Sequence, residues 1–468
     1  MMYERLTLMR ELLKPTGSIY VHLDPTVGHY VKTLMDEIFG QESFQREIVW
    51  RIGWVSGYKT TAKNWIRNHD TILFYVRTPG EFKFNKSYTA YPPGYKRRGD
   101  DEATGKGFPI DDVWNANESE FQLEGGESLD SIQIKSYSAE KTGFATQKNE
   151  SLLKRVITAS SDEGDLVGDF FCGSGTTLAV SEKLQRRWVG CDISRFAVHT
   201  SRKRLLSISD VKPFAVQNLG KYERQAWQVA EFGEDVGAKV AAYRRFILSL
   251  YHAEEEPGLV WCHGARGKRL VHIGAVDSPV SSEDVLEVVG EFKKLMGSGR
   301  AAPASTGVDI LGWDFSFELN EIARQEASRD GIDLCFKRIP REILDHRAVD
   351  QGDVKFFELA ALSTKVAVSG RTAKVSLVDF TIPPDDVPEE VRRTITHWIH
   401  WVDYWAIDWD NKGDTFHNEW QSFRSRSDPT LKIQASHTYA AKGSYSVVVK
   451  VVDILGNDTT KALRIQAQ

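Results

Sequence analysis

The nine residues Asp169-Phe170-Phe171-Cys172-Gly173-Ser174-Gly175-Thr176-Thr177 concentrate the chemistry of this sequence. An apolar approach, Leu166 and Val167, runs into them, and a helical pattern (Leu178, Ala179, Val180, Leu184) follows. A second apolar pair, Trp188 and Val189, then leads to Asp192. The order is strand, glycine turn, helix, strand, acid. Glycines let the backbone pass close to a ligand with no Cβ in the way. A helix N-terminus offers free N–H groups. An acid at the end of the second strand, about 20 residues on, suits a ribose diol. The site is therefore built for a nucleoside-containing cofactor. An ordinary tight βα turn is the plainer reading, but it does not account for turn, helix and acid in this order. There is no G-x-G-x-x-G and no G-K-[ST], which argues against a dinucleotide or a Walker phosphate loop.

The D-x-F-x-G-S-G-T-T run closely resembles the S-adenosylmethionine loop of the amino DNA methyltransferases, which modify exocyclic amines of adenine or cytosine. Upstream, Gly143 to Leu153 (GFATQKNESLL) resembles the family's G-Y-P-T-Q-K-P-E-x-L-L segment. Leu12 to Pro25 (LLKPTGSIYVHLDP) and His69 to Tyr75 (HDTILFY) are similar to its catalytic half. The catalytic half comes first and the cofactor half second. That is the order of the β group, which includes the modification subunits of type III restriction systems. The resemblance covers roughly residues 1 to 205.

This sequence departs from the family in several places. Phe170 stands where the family has Pro, and Gly168 replaces a strand hydrophobe. Ala145 and Asn149 replace the two prolines of the T-Q-K segment, which predicts a looser cover. The family's catalytic (D/N/S)-P-P-(Y/F) loop precedes the strand equivalent to Ser18–Leu23, and the residues before Gly17 do not supply it. Asp24-Pro25-Thr26 follows the wrong strand, and Pro92-Pro93 has Tyr91 before it and Gly94 after it. No catalytic residue is therefore assigned. The chain is expected to lack a central strand, through a truncated or split gene. The slot would be filled by an upstream polypeptide.

The resemblance implies S-adenosylmethionine held by Asp169, Phe171, Gly173, Ser174, Gly175, Thr176 and Thr177 at the loop. Asp192 would take the ribose, and Thr146, Gln147 and Lys148 the methionine end. The substrate would be double-stranded DNA, with adenine favoured over cytosine. The chain would be the modification component of a restriction–modification system, with a restriction subunit as a further partner. A catalytically incomplete cofactor- and DNA-binding subunit is the alternative. His22 and His69 read as structural.

Among 468 residues, 60 lysines and arginines face 65 acids, a net charge of −5, so DNA contact must rest on local patches. Four cysteines (Cys172, Cys191, Cys262, Cys335) show no metal-like spacing and read as reduced thiols, hence a cytoplasmic protein with no metal. No apolar run approaches the length of a membrane span.

Three regions emerge. The expected fold class is α/β: a Rossmann-like methyltransferase domain over 1–205, a second α/β unit over 206–365, and an immunoglobulin-like β-sandwich over 366–468. Within the first, the polar tract 79–142 carries Lys96-Arg97-Arg98. It reads either as target-recognition structure that contacts phosphates or as a solvated loop. In the second, strands at 269–274, 308–312 and 333–339 and helices at 239–251, 282–296 and 318–328 make an α/β pattern. Asp309, Asp314 and Asp333 lack the Glu-x-Lys of a nuclease. The third alternates over Lys374–Phe380 and Ser444–Asp453, and His437 to Asp453 resembles polycystic-kidney-disease-type sandwiches. Its Trp405–Asp410 cluster reads as core rather than as a sugar or metal site.

Overall fold

A computed structural model of the chain describes residues 2–51, 63–91, 94–96, 105–114, 140–144, 146–297, 307–316, 331–352, 354–382, 387, 389–413, 415–425 and 428–468. Arg97, Arg98, Ala145 and the helix expected at 318–328 lie outside these residues. The chain forms two compact units, Met1–Pro213 and Phe214–Gln468.

The first unit opens with α1 (Met2–Leu12) and β1 (Ser18–Leu23). Helix α2 (Pro25–Phe39) begins six residues earlier than the apolar pattern from Val31 suggests. Asp24 caps it, accepting the Thr26 amide at 2.8 Å, and Pro25 takes the first helical position, where no N–H is needed. The Asp24-Pro25-Thr26 run is thus a helix start. Strands β2 (Phe44–Arg51) and β3 (His69–Val76) follow, with three two-residue strands: β4 (Tyr88–Thr89), β5 (Phe108–Pro109) and β6 (Val113–Trp114). One sheet has the order β1-β3-β2-β6. On one face Leu6, Val31, Met35 and Phe39 pack against Leu73 and Tyr75. On the other, Trp50, Ile72, Phe74 and Trp114 pack against Leu152 of α3 (Glu150–Ser160).

A separate parallel pair, β7 (Leu166–Asp169) and β8 (Arg187–Gly190), is joined through α4 (Thr176–Lys183). Helix α5 (Arg195–Leu206) closes this half, capped by Ser194. Here β1 is the outer strand of one sheet and β7 an outer strand of the other. Both are under-covered for interior strands: all six residues of β1 are half-buried, and Leu166 in β7 is 54% exposed.

The two strands run the same way. Near the start of β1, Tyr20 bonds Ser160 at 2.7 Å, at the end of α3 and just before β7. Lys83 joins this end by bonding Asp162 and Asp165. At the other end, the Lys148 carbonyl accepts Thr176 Oγ1 at 3.1 Å, while the Lys148 ammonium feels the charge of Asp70. Asp70 is in turn the partner of His22 near the C-terminal end of β1.

The second unit holds a six-stranded sheet of order β14-β13-β12-β11-β10-β9. Its strands are β9 (Glu254–Glu255), β10 (Gly264–Arg266), β11 (Arg269–Ile273), β12 (Gly307–Gly312), β13 (Asp333–Arg338) and β14 (Phe357–Glu358). The three central strands are parallel. Helices α6 (Gly220–Phe232) and α7 (Val236–Leu250) cover one face through Trp227, Tyr243 and Ile247, and α8 (Ser282–Gly297) covers the other through Val285, Val288 and Phe292. The three carboxylates weighed above are tied to arginines: Asp309 and Asp333 to Arg269, and Asp314 to Arg224.

The tail is mainly strand, with a short helix at Glu389–Thr394. A three-stranded sheet joins β15 (Ala361–Ser369), β16 (Thr372–Thr381) and β19 (Gln434–Thr438). A four-stranded sheet joins β17 (Val402–Asp408), β18 (Trp420–Phe423), β20 (Gly443–Asp453) and β21 (Asp458–Ala467). Val375, Leu377 and Phe380 from the first share one core with Trp405, Ile407, Val449 and Ile465 from the second. Trp405 and Trp409 are buried there. No helix among the described residues is long and apolar enough to cross a membrane.

Candidate nucleotide-cofactor site

The loop after β7 is held by its own side chains. Asp169 accepts the Phe171 amide at 3.1 Å and the Thr177 hydroxyl at 2.5 Å, which ties the end of the strand to the first turn of α4. Gly173 and Gly175 both have positive φ, +49° and +71°. At Gly175 a Cβ would lie 2.6 Å from Ser201 Oγ and 3.0 Å from Ser201 Cα, so only glycine lets α5 approach this closely. Ser201 donates its hydroxyl to the Gly173 carbonyl at 2.9 Å. Ser174 and Thr176 are buried and Phe171 is 55% exposed, so the loop turns its polar side inward and offers a ring to solvent.

Asp192 bridges the second strand to the loop. Its Oδ2 accepts the Gly173 amide at 2.9 Å and its Oδ1 accepts the Ser194 amide at 2.9 Å. A carboxylate carries about four lone-pair sites, so each oxygen keeps one for a ligand hydroxyl. Exposed apolar groups flank this acid along the chain, with Ile193 next to it and Phe196 four residues on, and Phe171 lies two residues before Gly173, whose amide this acid accepts. Phe196 stacks on Phe144, with centroids 6.0 Å apart and planes within 12°. The local arrangement is an acid beside an apolar rim at a helix N-terminus, which suits a nucleoside.

The T-Q-K segment adjoins this site, but its side chains are engaged in shaping it. Gln147 Oε1 accepts the Thr142 amide and hydroxyl at 2.8 and 2.7 Å, and Nε2 donates to the Glu140 carbonyl at 2.6 Å. Lys148 donates to the Thr146 carbonyl at 3.2 Å. Burial holds the Lys148 ammonium below the ordinary lysine range; Asp70 pulls it back up and Arg67 pushes it down. The glutamine ties supply order that the absent prolines would otherwise give.

Two cations that the motifs alone did not reveal tie α3, at Glu150, to the loop and the helices around it. Arg204, only 7% exposed in its side chain, donates to Thr176 Oγ1 at 2.8 Å and to Glu150 at 2.9 Å. Lys183 also reaches Glu150, at 2.5 Å. Burial pushes the Glu150 carboxyl up, but these two cations more than offset it and hold it below its ordinary value. A lysine or arginine in the last turn of a helix is an ordinary sequence feature, and nothing in the chain marks Arg204 as this tie.

Beyond Lys148, His22 Nε2 lies 3.0 Å from Asp70 Oδ2, and Arg67 bonds both Asp70 and Asp24. His22 is thus paired, in keeping with its structural reading. Lys96 is exposed and sits at an isolated bridge position, while Arg97 and Arg98 lie outside the described residues.

Comparison with known proteins agrees with this geometry. A family model described as DNA methylase, N6_N4_Mtase, matches residues 1–203. Residues 1–203 are thus similar to the N6/N4 DNA methylases. The chain is 31% identical to the type II methyltransferase M.EcaI of Enterobacter cloacae, over 43% of this chain and 56% of that protein. It is 29% identical to the type II methyltransferase M.HpaI of Haemophilus parainfluenzae, over 42% and 55%. The chain thus spans just over half the length of these relatives. A solved complex of M1.HpyAVI with SAM is similar at 20% identity and a TM-score of 0.32, over 44% of this chain and 82% of that one.

Proposed function

We propose that the first unit is an S-adenosylmethionine-dependent DNA methyltransferase acting on the exocyclic amine of adenine, with cytosine the less favoured base, in double-stranded DNA. The observation that carries this reading is the junction of the Asp169–Thr177 loop, Asp192 and Lys148 at the C-terminal ends of two parallel-running strands. The cofactor would supply a methyl group already activated on a sulfonium. Asp192 would bond the ribose hydroxyls with its remaining lone pairs, and Phe171 and Ile193 would flank the adenine. Thr146, Gln147 and Lys148 would border the methionine end. An exocyclic amine is a poor nucleophile, so the protein's contribution is to position it in line with the methyl group.

The outer edges of β1 and β7 support a second part of the proposal. A strand laid between them would run parallel to both and end beside Asp169 and His22. We assign this slot to a strand carrying the (D/N/S)-P-P-(Y/F) loop. Without it the unit would bind cofactor and dock on DNA but not turn over. We further read the molecule as a cytoplasmic modification component that pairs with a restriction subunit. The second unit would comprise an α/β accessory domain and an immunoglobulin-like sandwich. The test is isothermal calorimetry with S-adenosylmethionine on the full chain: binding that is abolished or weakened in Asp192→Ala supports the site. Absence of any binding overturns it.

A further inference from the structure

An open cavity of about 440 Å³ lies in the second unit, at the end of the sheet where β11, β12 and β13 begin. Arg266, Arg269, Asp309, Asp333, Lys337 and Glu358 line it. Ligands of parallel sheets ordinarily bind at the opposite, C-terminal ends of the strands, so the fold class does not call for a cavity here. Cations and acids meet in it in equal number, and their pairing decides what it can hold.

Arg269 is engaged by two of the acids. Its Nε donates to Asp309 at 2.6 Å, one terminal nitrogen to Asp333 at 2.5 Å, and the other to the carbonyls of Val308 and Asp333. Asp309 is buried, and its second oxygen accepts the Tyr251 hydroxyl at 2.7 Å. Both acids are thereby answered from inside the protein. Among the described residues no ion pair joins Lys337 or Arg266 to a carboxylate. Lys337 gives one N–H to the Tyr251 hydroxyl at 2.9 Å, and an ammonium carries three. Burial would lower Lys337, but Tyr251 and the charge of Asp309 outweigh it and hold the ammonium above its ordinary value. Arg266 lays its guanidinium over the buried Tyr251 ring, 4.5 Å from the centroid, and Lys337 Nζ lies 5.3 Å from the same centroid. The two cations, from β10 and β13, thus share one aromatic support.

We propose that Lys337 and Arg266 bind a phosphate group beside Tyr251, carried by a small phosphate ester or by a nucleic-acid backbone. The Arg266 fork matches two phosphate oxygens, and the Lys337 ammonium takes a third. Both side chains are ordered on Tyr251 before a ligand arrives, which lowers the cost of binding. Glu358 acts against the anion. It is exposed, it stands opposite Lys337 in the register of β13 and β14, and among the described residues its carboxylate has no partner. The site belongs to the second unit and owes nothing to the cofactor loop of the first.

The experiment is equilibrium dialysis of the full chain against radiolabelled inorganic phosphate, in chloride buffers of fixed ionic strength. Wild type should show saturable binding that Arg266→Gln and Lys337→Met each weaken by about 10-fold, the loss of a hydrogen bond between charged groups. Glu358→Gln should tighten it by about 3-fold, since a repelling exposed charge is removed. A gain of affinity cannot come from misfolding, so this variant keeps the test decisive even if thermal melts show that Lys337→Met disturbs Tyr251 and Asp309. Lys442→Met, at an exposed lysine of the tail, should change nothing. Unlabelled competitors then name the source. Displacement by glycerol phosphate alone assigns a small phosphate ester, and displacement by a mixed-sequence duplex as well assigns a backbone. Wild type without saturable binding overturns the proposal, as does equal binding by wild type, Arg266→Gln and Lys337→Met.

Discussion

The backbone amide of Gly173 donates to Asp192 Oδ2 at 2.9 Å, so the acid that ends one strand fixes the loop that follows the other. The two are parallel neighbours, and the Cys172 amide adds a bond to the Cys191 carbonyl at 3.0 Å. Asp192 therefore serves twice, as a brace for the glycine turn and as an acceptor for a ligand. Replacing it with Ala should weaken S-adenosylmethionine binding by about 1.5–3 kcal/mol, the range for a hydrogen bond to a charged group. Calorimetry that returns equal affinities would remove Asp192 from the site.

Gly175 offers a test of packing. An alanine there must adopt a φ of +71° and push against Ser201, whose Cα would lie 3.0 Å from the new Cβ. The expected loss is about 2 kcal/mol in urea unfolding, from strain and overpacking together. Gly28 in α2 is the control, since a Cβ there meets nothing within 4 Å. Gly28→Ala should stabilise by roughly 0.5–1 kcal/mol. Identical behaviour of the two variants would contradict the close approach of α5 to the loop.

Glu150 predicts a pH dependence. Lys183 and Arg204 outweigh burial and hold its carboxyl below the ordinary value of 4.5. A carboxyl depressed in the folded chain adds stability above its unfolded value. That stability is lost as the pH falls through the folded value. Glu150→Gln should therefore destabilise the first unit near neutral pH by about 1.5–3 kcal/mol. Wild type and variant should converge well below pH 4.5. Thermal melts whose difference stays constant with pH would refute this role.

How far the sequence could be read depended on whether the signal was local. The loop, its glycines and Asp192 are a contiguous pattern, and the structure brings them together. Strand β1 was legible for the same reason, as Ile19, Tyr20, Val21 and Leu23 make a short, largely apolar run between Gly17 and Asp24. The start of α2 was placed late because Thr26, His29 and Tyr30 break the apolar period, and the cap at Asp24 outweighs that break. Arg204, Lys183 and the Arg67 clamp were invisible because each joins residues far apart in the chain, and a single charged residue carries no record of its partner. The tail shows the same limit: the pattern from Lys374 marked β16, but β15 begins at Ala361, where alternating Leu362, Thr364 and Val366 give a weaker period.

That boundary makes a prediction. A fragment starting at residue 366 removes half of β15 (Ala361–Ser369), an edge strand whose Leu362 and Val366 pack on the tail core. A fragment starting near residue 359 keeps it. The longer piece should fold alone with a cooperative thermal transition, unchanged by a chelator, because Trp405, Phe380 and Val449 supply its core. The shorter one should be less stable by about 1–3 kcal/mol, from the lost packing of Leu362 plus the lost ladder bonds of Ala361 to Lys365. Equal melting of the two fragments would place the boundary inside β15, and a longer fragment that fails to fold would deny the tail independence.

The slot between β1 and β7 is the most consequential test of the proposed reaction. Parallel strands are ordinarily buried on both faces, with their backbone groups satisfied by a neighbour on each side. Here Tyr20–Ser160 and the Lys83 bonds to Asp162 and Asp165 bring the starting ends of the two strands together, yet each strand belongs to a different sheet. A parallel strand between them would cover Leu166, complete both ladders and deliver its following loop to the Asp169 and His22 ends. The acid and proline carbonyl of that loop would accept the target amine's hydrogens, and its aromatic would meet the base. The present chain alone should therefore bind cofactor without methylating mixed-sequence DNA. A version extended upstream to carry a strand with a D-P-P-Y loop should transfer radiolabelled methyl groups and melt at a higher temperature. Turnover by the unextended chain would show that an acid and an aromatic already present do this work, and Asp70 with Trp65 would then be the pair to replace first.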